Sequence, residues 1–177
     1  CRFRELTQGD VTDAYMLVRA KDGISTYLWT PRLLDLKDAQ GRRACIRCNT
    51  SVWGEITAGG EWERGFQQCI VEMGWKPAEG VPYLWSFSRS ASHDAHMLTI
   101  VDDYLISESK GFNREIAHRT NEIITAKLGK VRSTDNPDSF AGMCLAISPT
   151  SGAITVSMPQ KIEEAVRAHY PSIITGA

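Results

Sequence analysis

The chain has 177 residues, 42% of them hydrophobic and 23% charged, which is the composition of a single globular domain and not of a disordered chain. Its 20 Lys and Arg stand against 21 Asp and Glu, a net charge of −1, so there is no overall cationic excess to displace counterions from a nucleic-acid backbone. No window approaches the roughly 20 consecutive apolar residues of a membrane span, and five cysteines at irregular spacing do not form a secreted disulfide framework, which points to a reducing intracellular compartment.

A chain of this size buries roughly 70% of its unfolded surface and needs no disulfide or metal to hold a core. The opening Cys1-Arg2-Phe3-Arg4-Glu5 has the pattern of neither a signal peptide nor a transit peptide, and the missing initiating Met points to a fragment or processed form of something longer.

In chain order, Gln8-Gly9-Asp10 followed by Val11 to Val18 reads as a strand end feeding a turn or short helix. Tyr27 to Thr30 is a short strand closed by Pro31, the next twenty residues are charged and turn-rich, and Ile46 to Trp53 is a further extended piece. Trp62, Phe66, Cys69/Ile70 and Met73 recur at helical spacing from Ala58 onward, with Gly74 as the stop. Tyr83 to Phe87 and Met97 to Val101 are strands, and Tyr104-Leu105-Ile106 completes a hairpin expected to turn at Asp102 and Asp103.

Phe112, Ile116, Ile123/Ile124 and Leu128 predict a helix of about five turns ended by Gly129. Residues 130 to 139 read as a polar loop, and Met143 to Ile147 with Ala153 to Val156 as a second hairpin. Ser157-x-x-Gln160 fits a capping box for a last helix bearing Ile162, Ala165, Val166 and Tyr170 and stopped by Pro171. The expected class is α+β, an antiparallel or mixed sheet with helices on one face, in one domain over 1–177.

Three features bear on chemistry: Asp10 at a strand end, the adjacent Asp102-Asp103 at a hairpin, and apolar strands beneath both. Carboxylates gathered at strand ends are what hard Mg²⁺ takes as ligands, and a pair of such ions can clamp the two oxygens of a phosphoryl transfer. Turns also favour Asp for conformational reasons, so the acids alone leave both readings open. Successive strand residues face opposite sides, so Asp102 and Asp103 can serve one ion only if the turn breaks the alternation, and Asp102 is the preferred ligand.

Other clusters are plainer. Arg42-Arg43-Ala44-Cys45-Ile46-Arg47 reads as a phosphate contact or as a solvated loop face. Cys45-x-x-Cys48 is half of a zinc pattern without a second half, and His93, His96, His118 and His169 are scattered, so ordinary thiols are expected. Ser92-His93-Asp94 is a contiguous triplet and not a catalytic geometry. Trp62 and Trp75 fall in the expected core, whereas Trp29, Trp53 and Trp85 are candidates for a partner surface.

Gly9-Asp10-Val11-Thr12-Asp13-Ala14-Tyr15 resembles the first catalytic motif of reverse transcriptases, and Ile100-Val101-Asp102-Asp103 their acidic hairpin. Trp53-Gly54 to Trp62 is similar to the segment that opens a palm helix in copia-type retrotransposon polymerases, and Met73-Gly74-Trp75 to the step after it. Phe140-Ala141-Gly142-Met143, the following hairpin and Ser157 to Ile162 resemble the family's last strand, hairpin and helix. These motifs run in the family's order over residues 8 to 170.

The resemblance implies a palm-like fold, with a catalytic-motif core over 8–107, a helix over 108–129, and a hairpin and C-terminal helix over 140–170. Fingers and RNase H regions would be absent. It implies RNA-directed DNA polymerisation with Mg²⁺ or Mn²⁺, an RNA template, a DNA primer and a deoxynucleotide. Asp10 and Asp102 would be the principal metal ligands and Asp103 the auxiliary catalytic acid. Tyr15 would be the steric gate under the incoming sugar, Asp13 would lie near the triphosphate, and Phe140 and Gly142 on the primer side.

The chain departs from the family where a cation is usual: the segment after Gly54 is Glu55-Ile56-Thr57. An acidic cluster without its cations can bind metal while holding a nucleotide poorly. The alternative expectation is therefore a non-catalytic, host-recruited domain of this kind, acting as a structural or interaction subunit among other proteins.

Overall fold

The computed structural model describes residues 4–17, 26–29, 34–51 and 55–169, with the backbone alone for Tyr15 and Thr26. The elements are β1 (Arg4–Val11), α1 (Ala14–Leu17), β2 (Thr26–Trp29), β3 (Cys45–Cys48), α2 (Ala58–Glu72), β4 (Lys76–Pro77), β5 (Leu84–Ser88) and β6 (Asp94–Ile100). They continue with β7 (Asp103–Ser109), α3 (Glu115–Lys127), β8 (Val131–Asp135), β9 (Ser139–Phe140), β10 (Met143–Ile147), β11 (Ile154–Ser157) and α4 (Pro159–His169).

The main sheet has six strands in the order β4-β5-β6-β7-β1-β8, with every neighbouring pair antiparallel. Alternation along the strands sorts their side chains between two faces. One face presents Val11, Ala95, Met97, Tyr104 and Ile106, which form the main core with Trp62, Phe66 and Ile70 of α2 and Ile116, Ala117 and Ile124 of α3. Both helices therefore cover this face, and the fold is α+β as expected. Each large side chain buried here contributes about 1.5–3 kcal/mol.

The opposite face presents Leu6, Leu98 and Leu105, on which the three-stranded sheet β11-β10-β9 packs through Phe140, Leu145, Met143 and Ile147. The strands β2 and β3 pair with each other in a separate ribbon. No helix among the described residues is long and apolar enough to cross a membrane.

Helix α2 matches the sequence pattern, with Trp62, Phe66, Cys69 and Ile70 buried and Gly74 at φ +98° just beyond its end, a backbone region open chiefly to glycine. Several expectations are corrected. The helix expected from Phe112 starts at Glu115, because Asn113 and Arg114 have φ of +52° and +54°, outside any right-handed helix. Phe112 instead stacks on the His93 ring, with centroids 3.9 Å apart.

The expected loop 130–139 contains β8, which pairs with β1 from Thr7↔Asp135 to Val11↔Val131. It is a sheet edge, so its outward residues are polar and hide the strand from a composition-based reading. The acidic hairpin turns at Val101-Asp102, and Asp103 is already the first residue of β7. The expected extended piece 46–53 is a strand only over Cys45–Cys48, and 52–54 lie outside the described residues. Ser157 ends β11, and α4 opens with Met158 C=O accepting from Ile162 N–H, so no capping box forms at Ser157.

Trp85 is 5% exposed and belongs to the core, while Trp29, at 66%, is exposed; Trp53 lies outside the described residues, as do Val18, Thr30, Pro31, Tyr170 and Pro171. Cys45 and Cys48 stand three positions apart on one strand, which sends them to opposite faces of the ribbon.

Candidate functional site

Asp10 lies near the end of β1, between two partners in register: Asp103 on β7 and Arg132 on β8. Ile100 on β6 is opposite Asp103, so one row across the sheet reads Ile100, Asp103, Asp10, Arg132. This row lies on the face away from α2 and α3, beside the row of Leu98, Leu105 and Gln8.

The two carboxylates thus stand directly across from each other on the same face. Like charges in that position repel. Burial first, and then the neighbouring Asp10 and Asp102 carboxylates, raise the Asp103 pKa above its ordinary value; a hydrogen bond from Gln8 and the Arg132 charge pull it back. Asp10 Oδ2 meets Arg132 Nη2 at 2.6 Å.

The second half of the site is the turn. Val101 sits at φ +59°, a strained conformation for a β-branched residue, and two hydrogen bonds hold it there. The buried Trp62 indole N–H donates to Val101 C=O at 2.7 Å, and Val11 N–H donates to Asp102 C=O at 3.1 Å. The end of β1 is fixed from its other side by Thr12 N–H donating to Lys130 C=O at 2.9 Å. An apolar cleft of about 360 Å³, lined by Trp62, Phe66, Tyr83 and Val101 among others, backs this turn.

Close packing beneath the row depends on Gly9. A Cβ there would stand 2.1 Å from Tyr104 Cζ, so only glycine lets the Tyr104 ring cross β1. Tyr104 O–H donates to Asn121 Oδ1 at 2.6 Å, which ties the strand under Asp103 to α3. Burial pushes the Tyr104 pKa up, so the phenol remains a donor.

Among the other expected site residues, Asp13 is exposed at φ +59° in the turn after β1, its carbonyl accepting from Met16 N–H at the start of α1. Tyr15 lies on α1, with its side chain outside the description. Phe140 is 2% exposed and packs in the second core, so what its segment presents outward is the Ala141-Gly142 turn, beside the Lys161 side chain.

The structure brings Asp10, Asp102 and Asp103 to one end of the sheet. Asp103 shares a strand face with Asp10, and Asp102 stands in the turn beside them. As the side chains stand, no three His, Cys, Asp or Glu among the described residues form a metal-ligating group. The donor chemistry nonetheless suits a hard divalent cation: three carboxylates, close enough to shift Asp103, supply oxygen ligands, although Asp10 is already paired with Arg132.

Arg132, Gln8 and the Trp62 brace are the parts that the sequence reading misses. The available signal is slight: Val131 and Arg132 alternate buried-side and outward like a strand, and Gln8 precedes Asp10 by the strand period of two. A scan against protein-family models matches none, and a search of curated proteins finds no match.

Proposed function

We propose that the chain is a reverse-transcriptase-like palm related to copia-type retrotransposon polymerases, with nucleotidyl transfer centred on Asp10, Asp102 and Asp103. The observation that carries this reading is the register: Asp10 opposes Asp103 across β1 and β7, with Asp102 in the turn between β6 and β7. A row of acids on the open end of the sheet, opposite its helices, supports a phosphoryl-transfer site better than a random surface patch.

Asp10 and Asp102 would hold Mg²⁺ or Mn²⁺, with Asp103 as the auxiliary acid. When bound, such ions stabilise the attacking and leaving oxygens of an in-line displacement. Of the chain's own groups, Gln8 holds the Asp103 carboxylate, Trp62 fixes the strained turn, and Arg132 neutralises Asp10. Asp13 and Tyr15 would face the incoming deoxynucleotide, and the Ala141-Gly142 turn the primer side.

The full chain, given an annealed DNA primer on an RNA template with Mg²⁺ or Mn²⁺ and deoxynucleotides, should extend the primer, and Asp102→Asn should abolish extension. Extension that survives the substitution removes the assignment.

A second reading is the non-catalytic subunit of a protein assembly, and the Arg132–Asp10 ion pair favours it, since it satisfies the principal acid without metal. Gentle recovery from the native source in fixed stoichiometry with other proteins, without nucleic acid, would support this second reading over the first.

A further inference from the structure

Where the end of α2 meets β5 and α3, a cleft of about 130 Å³ opens to solvent. Its walls are Met73, Trp75, Phe87, Ile116 and Ile123, and the Trp75 and Phe87 rings stand 5.5 Å apart, tilted by 53°. Thr120, the buried polar residue among them, is already satisfied: its hydroxyl donates to Ile116 C=O at 2.7 Å and accepts from the Trp75 indole N–H at 3.3 Å. Protein interiors keep few voids larger than a water molecule, and an apolar cavity of roughly 150 Å³ holds one benzene ring. This cleft therefore has the size of a single aromatic ring, and its walls favour an apolar occupant over water.

The charges stand at the opening. Arg89, Glu115 and Arg119 line the cleft and are all exposed. Arg89 pairs with Glu115, and that hydrogen bond first, with the charges of Arg89, His93 and Arg119 behind it, holds the Glu115 carboxyl below its ordinary value. One carboxylate thus answers two guanidinium groups. Glu122, one turn along α3 from Arg119, borders the neighbouring groove and not this cleft. A guanidinium presents its N–H donors in a planar fork that matches a carboxylate.

We infer that this cleft binds a small, free aryl carboxylate, whose ring enters between Trp75, Phe87 and Ile123 and whose carboxylate meets Arg119 at the opening. The cleft lies on the helix-covered face of the six-stranded sheet, opposite the row of Asp10 and Asp103, so the inference stands apart from the proposed transfer site. A chain that never extends a primer but binds the acid upholds it.

The test is an NMR titration of the full, isotopically labelled chain with phenylacetate, read at the Trp75 indole N–H and the Ile116 and Thr120 amides. Saturable shifts are expected in the millimolar range natural to so small a ligand. Arg119→Gln should weaken phenylacetate about tenfold and leave neutral benzyl alcohol unchanged, and Arg119→Lys should recover part of the loss. Glu115→Gln, which removes the opposing charge, should tighten phenylacetate several-fold. Both side chains are exposed, so the variants should keep the wild-type thermal midpoint. Shifts that never saturate, equal shifts with acetate, which has no ring, equal or tighter binding of benzylamine, or an affinity indifferent to Arg119 would overturn the inference.

Discussion

Replacing Asp103 by Asn removes one of two like charges that face each other across β1 and β7. At about 5 Å, the separation usual for cross-strand neighbours, two unit charges repel by about 1 kcal/mol in a water-like medium and about 3 kcal/mol at an effective dielectric near 20. Asp103 is only partly buried, and Arg132 at 2.6 Å from Asp10 offsets much of the field. The net gain expected for Asp103→Asn at pH 7 is therefore about 0.5–1 kcal/mol. Its pH dependence is defined by the direction of the shift. Because the folded-state pKa is raised, the native chain holds the Asp103 proton more tightly than the unfolded chain. Wild-type stability then falls as pH rises from the ordinary carboxylate value of 3.8 through the higher folded value, and the variant lacks that loss. Urea unfolding at pH 3.5 and pH 7 measures both points. A variant less stable than wild type at pH 7, or a gain of equal size at the two pH values, would refute the reasoning.

Three further outcomes follow from the packing. Glu108, 1% exposed, accepts from His93 Nε2 at 2.7 Å and from the Ile116 and Ala117 N–H groups, so it caps α3 from the neighbouring strand; Glu108→Leu should cost about 3–5 kcal/mol in urea unfolding, and Glu108→Gln clearly less. Gly9→Ala must displace the Tyr104 ring, at a cost of about 3 kcal/mol, read as a lowered thermal midpoint. Trp62→Phe keeps the ring contact with Phe66 but loses the bond to Val101; it should cost about 1 kcal/mol and speed hydrogen exchange at the Val11 amide, which depends on the same turn.

What was legible in the sequence follows from periodicity. Trp62, Phe66 and Ile70 recur on one helical face and are buried, so α2 could be read directly, and the alternating runs that became β6, β7 and β10 were equally plain. Strand β8 was not legible because an edge strand buries little, leaving Val131 as its one half-buried apolar residue. The start of α3 was obscured because its cap comes from Glu108, six residues upstream of Arg114 and on another element. In the site, the acids were visible as motifs, but their pairing was not. Turning at Val101-Asp102, one residue earlier than expected, moves Asp103 onto the Asp10 face, and that choice depends on Trp62, far away in sequence. Arg132 could not be placed without the register of β8.

The most direct test of the account is a Mn²⁺ titration of the full chain by calorimetry. The carboxylate site predicts saturable binding that Asp10→Asn and Asp102→Asn each weaken at least tenfold. Arg132→Gln, which releases Asp10 from its ion pair, should strengthen it several-fold. Binding that is absent, or indifferent to all three substitutions, would contradict the proposal that these acids form a metal-dependent centre.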